Sequence, residues 1–451
     1  MKKIIRTISG VTPISVMLKP FPCPHGKCIY CPSQENVPES YTKTSPVVLR
    51  AKDCNWDAEK QVLSRLKILK LMGHVTNKIE LIVMGGTFSA YPKEYREEFI
   101  KKCFDGLNGI KSNSLEEAKK INETANHRCV ALCLETRPDF CSPEDIESFL
   151  YYGATRIEIG VQSPDNESYK ITNRGHTLED VILATKNLKE AGFKLGYHLM
   201  LGLPGASLEE DFQKIKMLFE DERFRPDQIK LYPTFVIKGT KLEEMYNKNE
   251  YKPYTTEEIV KLLAKIKSIV PEYVRIMRIM RDIPAEYIIS ECKYSHLRDE
   301  LKKYMKENNM KCNCIRCREI GHVLHSGGNV NLNEIKMKRI NYNASGGKEI
   351  FLSFETSNAL FSLLRLRINQ NGKAIIRELH TYGPELEIGK QPTNIHFQHR
   401  GLGKKLVKEA ERITKEEYGI NKIYVIAGVG VRQYFYKLGY ELDGYYVSKK
   451  L

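Results

Sequence analysis

Phe21–Gln34 reads FPCPHGKCIYCPSQ and puts three cysteines, Cys23, Cys28 and Cys31, in a C-x4-C-x2-C spacing. Pro24, His25 and Gly26 sit among them, so the segment is neither a regular helix nor an inner strand. It is a loop that presents thiols. Three thiolates suit zinc completed by a fourth ligand such as His25. They equally suit three irons of a 4Fe–4S cluster, the fourth iron staying open to bind a ligand. The spacing alone does not choose between the two metals.

The loop follows an apolar run, ISVML from Ile14, and five similar runs come after it. They are IELIVM from Ile79, CVALCLE from Cys129, RIEIGV from Arg156, KLGYHLM from Lys194 and QIKLY from Gln228. Helical patterns separate them. DAEKQVLSRLKILKLMG is one, and TLEDVILATKNLKEAG, with a Thr177 cap and a stop at Gly192, is another. Alternation of this kind predicts a parallel sheet with right-handed crossovers, as an open sheet or a barrel. Ligands then belong at the C-terminal ends of the strands, where the cysteine loop lies.

The chain has 451 residues, enough for two or three full cores. Its apolar share of 41% and charged share of 28% are those of an ordinary globular protein. No apolar run is long enough to span a membrane, and Arg6 and Ser9 break the pattern of a secretory signal. The 12 cysteines occur in clusters and singly along a large chain, which predicts metal-bound thiols in a reducing cytoplasm. A net charge of +15 predicts a polyanionic partner.

Residues 240–330 lose the strand–helix rhythm. Within them KCNCIRCREIGH carries Cys312, Cys314 and Cys317, a C-x-C-x2-C cluster read as structural zinc. The fourth ligand is left open among His322, His325, Cys292 and Cys103. RIMRIMRD, with Arg275, Arg278 and Arg281, reads as a contributor to the polyanion surface or as a strand. Beyond a boundary near residue 330, EIFLSFE, NALFSLLRLRIN and AIIRELHTYG predict an antiparallel meander. A glycine turn then opens a long helix in HRGLGKKLVKEAERITKEEYG, followed by KIYVIAG and YFYKLGY. Such a turn exposes backbone N–H groups to a pyrophosphate.

The three-cysteine loop resembles that of radical S-adenosylmethionine enzymes, in the subgroup whose first gap is one residue longer than the usual C-x3-C-x2-C. VMGGT (Gly85, Gly86), GVQS (Gly160–Ser163) and LGLPG (Gly202–Gly205) close successive strands, as in those enzymes. The C-terminal segments resemble the GNAT N-acetyltransferases. The combination resembles the family of Elongator catalytic subunits over nearly the whole sequence.

That resemblance implies a partial β/α barrel at 1–285, a zinc-binding linker at 286–330 and a GNAT-like α/β domain at 331–451. It implies a 4Fe–4S cluster on Cys23, Cys28 and Cys31, and S-adenosylmethionine beside Gly85, Gly86 and Gln162. Acetyl-CoA would lie along Glu378, Leu379, His380 and Thr381, with its pyrophosphate at Gln398, Gly401, Leu402, Gly403 and Lys404, near Phe435. Lys78 would approach the acetyl group. Where acetyltransferases often place a thiolate-protonating tyrosine this chain has Phe435, so Tyr434 is the expected stand-in. The implied activity is conversion of the tRNA wobble uridine to 5-carboxymethyluridine. A 5′-deoxyadenosyl radical takes hydrogen from the acetyl methyl group, the carbon radical adds to uridine, and the thioester is hydrolysed. The implied partners are tRNA, acetyl-CoA and an electron donor, with no membrane and without other Elongator subunits. Family members also carry a basic N-terminal extension; this sequence starts almost at the first strand, so weaker tRNA binding is expected. A protein lysine acetyltransferase with a structural iron–sulfur cluster is the rival reading. A non-catalytic RNA-binding scaffold is a third, disfavoured by the coenzyme A loop.

Overall fold

The structure is a computed structural model that describes residues 5, 7–290, 296–384, 386 and 401–451. Seven strands form the first sheet: β1 (Thr12–Met17), β2 (Lys78–Met84), β3 (Arg128–Thr136), β4 (Arg156–Gln162), β5 (Lys194–Leu201), β6 (Gln228–Pro233) and β7 (Arg275–Arg278). They lie in sequence order and every neighbouring pair is parallel, the topology of a half-barrel. Its two faces differ because side chains alternate along a strand. On β2, Ile79, Leu81 and Val83 are buried under the helices, while Lys78, Glu80, Ile82 and Met84 line the concave side. On β4, Ile157, Ile159 and Val161 point outward into the core, and Arg156, Glu158, Gly160 and Gln162 line the lumen.

The crossover helices follow the capping signals. Leu178–Glu190 begins at Thr177 with a capping box to Asp180, and Gly192 after it takes φ +92°. Ala58–Leu71 is capped by Asp57. One strand escapes the apolar pattern. β7 opens on Arg275, whose guanidinium pairs inside the protein with Glu319. Arg278 pairs with Asp282, and Arg281 donates to Ser40 O at 2.9 Å. The strand reading of RIMRIMRD is therefore the observed one, and Arg275 is not available to a polyanion.

The second sheet runs β13-β14-β12-β11-β10-β9-β8, with β8 (Lys336–Ala344), β9 (Gly347–Glu355), β10 (Leu360–Ile368), β11 (Ala374–Thr381), β12 (Lys422–Val425), β13 (Glu441–Asp443) and β14 (Tyr446–Lys450). β9 to β11 form the expected antiparallel meander, and β8 adds an antiparallel strand to its edge. β8 itself lacks a sequence signal because it is an edge strand, lysine-rich and half exposed. β11 pairs with β12 in parallel only over Ala374–Ile376, so the two strands part before Arg377–Thr381. The helix Leu402–Arg412 packs Leu406, Val407 and Ala410 onto this sheet.

Among the contacts that join the sheets, two stand out. Arg377 of β11 is fully buried between Asp227, ahead of β6, and Glu349 of β9. Gly428 and Gly430, after β12, press on β3. A Cβ on Gly428 would lie 2.1 Å from Val130 O, and one on Gly430 2.5 Å from Arg128 Cβ.

Candidate active site

A cavity of about 1240 Å³ runs along the half-barrel and continues against the second sheet. Its wall includes Cys23, Gly86 and Gln162 at the C-terminal ends of the strands. At the other end it includes Lys78, Glu378–Thr381, Gly401–Lys404, Tyr434 and Phe435. These expected residues, drawn from both sheets, thus face one space. Gln398 lies outside the described residues.

At the cysteine rim, Cys28 is buried and Cys23 and Cys31 are half-buried. Cys28 Sγ faces His25 Nε2 at 3.2 Å and Arg174 Nη1 at 3.7 Å. Arg174 also donates to Gly160 O at 2.8 Å, and Arg137 braces His25. Burial pushes the Cys31 thiol up to about 12 and raises that of Cys23, so a bound metal is what would hold them as thiolates. His25 is turned toward Arg137 and Cys28, and burial beside Arg137 lowers its pKa to about 4.

The lumen carries a charged network that the sequence did not single out. His198 Nε2 lies 2.7 Å from Glu158 Oε2 and 4.0 Å from Glu135 Oε1. Lys230 pairs with Glu158 and sits 3.3 Å from Glu135. Arg156 reaches Glu158 at 3.3 Å and pairs with Glu80. Burial alone would raise the Glu158 carboxyl, but Lys230, Arg156 and His198 hold it well below the usual carboxylate range. The available signal was the charge of Arg156, Glu158 and Lys230 inside central strands, RIEIGVQ and QIKLY, where a parallel sheet buried on both faces would be apolar throughout.

At the far end Glu378 joins the sheets: Lys194 of β5 lies 2.5 Å from it and Arg365 of β10 2.7 Å. Burial works against this carboxylate, and the two cations still hold it at about 2. His380 Nε2 donates to Ser9 O at 2.7 Å. Gly401 has φ +79° and caps the helix Leu402–Arg412, a left-handed turn that side chains rarely adopt. It leaves backbone N–H groups at the cavity wall. A Cβ on Gly403 would meet Tyr434 Oη at 3.3 Å. Tyr434 is partly exposed on the wall, whereas Phe435 is 3% exposed and packs on Tyr440 in the second core.

Cys312, Cys314 and Cys317 bring their sulfurs within 4.8 Å of one another, close enough for one ion. Hydrogen bonds from Cys312 and Cys317 hold the Cys314 thiol below its ordinary value. Of the expected fourth ligands, His322 points to Glu319 at 3.0 Å, His325 is exposed and Cys103 sits in the first core. Cys292 lies outside the described residues.

Residues 20–217 match the model of the Radical SAM superfamily, and 226–307 that of the Radical_SAM C-terminal domain. A tRNA uridine(34) acetyltransferase of Dehalococcoides mccartyi is 51% identical over the full length of both chains. Elongator complex protein 3 of Homo sapiens is 41% identical, across all of this chain and 86% of that one. The solved structure of the archaeal Methanocaldococcus infernus Elp3 with N-terminus deletion (1-46) superposes with a TM-score of 0.88 at 45% identity, covering 99% of this chain and 100% of that one. The chain belongs to the radical S-adenosylmethionine family of tRNA uridine(34) acetyltransferases and Elongator complex protein 3.

Proposed function

We propose that this protein modifies the wobble uridine of tRNA, with acetyl-CoA as the carbon source for 5-carboxymethyluridine. The observation that carries the reading is the single cavity reaching from Cys23 to the Gly401–Lys404 turn. A radical generated at one end and a thioester bound at the other share an enclosure there.

Cys23, Cys28 and Cys31 hold the 4Fe–4S cluster, and Gly85, Gly86 and Gln162 form the S-adenosylmethionine wall. The cluster and that cofactor supply a 5′-deoxyadenosyl radical when bound. Glu378–Thr381 carry the acyl-pantetheine arm along the part of β11 that has left β12. The N–H groups at Gly401–Lys404 take the pyrophosphate, together with Gln398, and Phe435 packs beneath them. Lys78 orients the thioester where β2 enters the barrel, and Tyr434 protonates the departing thiolate. Cys312, Cys314 and Cys317 hold zinc in a linker over 286–330, between a barrel unit at 1–285 and an acetyl-CoA unit at 331–451. The cluster, when bound, would call for an external electron donor. Among the described residues no helix is long and apolar enough to cross a membrane.

Reduced holoprotein is incubated with tRNA, S-adenosylmethionine and methyl-deuterated acetyl-CoA, and nucleosides are read by mass spectrometry. Carboxymethyluridine should form, with deuterium appearing in deoxyadenosine. Unlabelled deoxyadenosine, with robust acetylation of a lysine peptide, would overturn the reading in favour of a protein acetyltransferase.

A further inference from the structure

We propose that His198, held by Glu158, is the general base that hydrolyses the thioester once the acetyl carbon is joined to the base. The assignment rests on the reading of acetyl-CoA as carbon source.

The geometry fixes which nitrogen acts. Glu158 is 2% exposed and paired with both Lys230 and Arg156, so it is a carboxylate that only accepts. His198 Nε2, 2.7 Å away, must carry the hydrogen, and Nδ1 keeps its lone pair. A carboxylate behind an imidazole holds the tautomer and stabilises the imidazolium that forms when the ring takes a proton. Lys230 and Tyr232 of the adjacent β6, and Glu135 of β3 from beyond β4, also face this site. Lys230 lies between the two carboxylates, where a metal ion would otherwise sit. It makes this an acid–base group and not a cation site.

The position suits the step. His198 lines the cavity and is 18% exposed, open enough for water. On the same strand and the same face, Lys194 holds Glu378 of β11, the strand assigned to the acyl arm. Four residues of extended chain separate them, about 13 Å. The dyad therefore lies between the acyl-CoA end and the cysteine rim. Water attacks the thioester carbonyl carbon and gives its proton to His198 Nδ1. The C–S bond breaks with its electron pair on sulfur; the thiolate takes its proton from Tyr434, and the imidazolium returns its proton to the phenolate by way of water in the cavity. The products are a carboxylic acid and a thiol, with no change in oxidation state.

The test uses His198→Asn holoprotein with tRNA, S-adenosylmethionine, reductant and acetyl-CoA. Deoxyadenosine should still form, carboxymethyluridine should fall by about 100-fold, and tRNA should retain coenzyme A as a thioester that mild alkali converts to carboxymethyluridine. Glu158→Gln, which keeps the shape and removes the carboxylate, should trap the same adduct. Wild-type rates of carboxymethyluridine formation in His198→Asn would overturn the proposal. Loss of deoxyadenosine along with the nucleoside would do so too, since the residue would then act before carbon–carbon bond formation. Wild-type protein that makes deoxyadenosine but no carboxymethyluridine would instead overturn the reading beneath it, and the assignment with it.

Discussion

Arg377 on β11 donates to Asp227 through two nitrogens, at 2.9 and 2.8 Å, with both side chains sealed from solvent. Asp227 also accepts from Leu195 N–H at 2.8 Å, so one carboxylate ties the entry of β5 to the second sheet. Arg377→Met takes the two-nitrogen partner from Asp227, leaving Lys189 and Arg365 at 3.7 and 3.5 Å, and leaves Glu349 to Arg367 and Lys189. Breaking a buried pair on one side costs about 3–5 kcal/mol. Urea unfolding should show a loss of that size, and an unchanged midpoint would mean the pair does not join the sheets.

Cys314→Ser should lower metal content by one ion per chain and make the 296–330 region cleavable by protease. Structural zinc contributes directly to folding. Cys28→Ala should leave that ion in place and remove the iron. The two cysteine clusters are separate in the fold, so metal analysis of both variants should give opposite results.

Gly403→Glu brings a side chain and a negative charge toward Tyr434 Oη, beside the helix N-terminus assigned to the pyrophosphate. Acetyl-CoA affinity should fall by about 100-fold, roughly 2.7 kcal/mol, while S-adenosylmethionine binding persists. Calorimetry that finds acetyl-CoA still bound tightly would place the cofactor elsewhere.

Asp211 anchors the LGLPG loop by accepting from Gly202 N–H at 2.7 Å and from the Tyr254 hydroxyl at 3.0 Å. Burial pushes its carboxyl up to about 6, against about 3.9 in an unfolded chain. Between those values the folded state holds a proton that the unfolded state releases. Stability therefore declines as pH rises through that window and levels off above it. Asp211→Asn keeps an acceptor for both donors. Its unfolding free energy from urea titration should lose this slope and exceed that of the wild type at pH 7, by on the order of 2 kcal/mol.

The parallel half-barrel was legible because each run from Ile14 to Tyr232 is short, carries apolar residues at least at alternate positions and is bounded by a helical pattern. The three-cysteine loop and the Gly401 turn were legible because their backbone needs are local. β7 was legible only as one of two readings, since Arg275 has its partner 44 residues away, and β8 was not, being an exposed edge. His198, Glu158 and Lys230 come from three strands and become a site only when register sets them on one face. Nothing within any one segment marks them as a group.

The joint at Gly428 and Gly430 has a mechanical consequence. Backbone there meets backbone through side chains that do not exist, so no rotamer can turn to widen or narrow the seam. The seam there is set by close main-chain approach, so widening it means moving a whole strand and not turning a side chain.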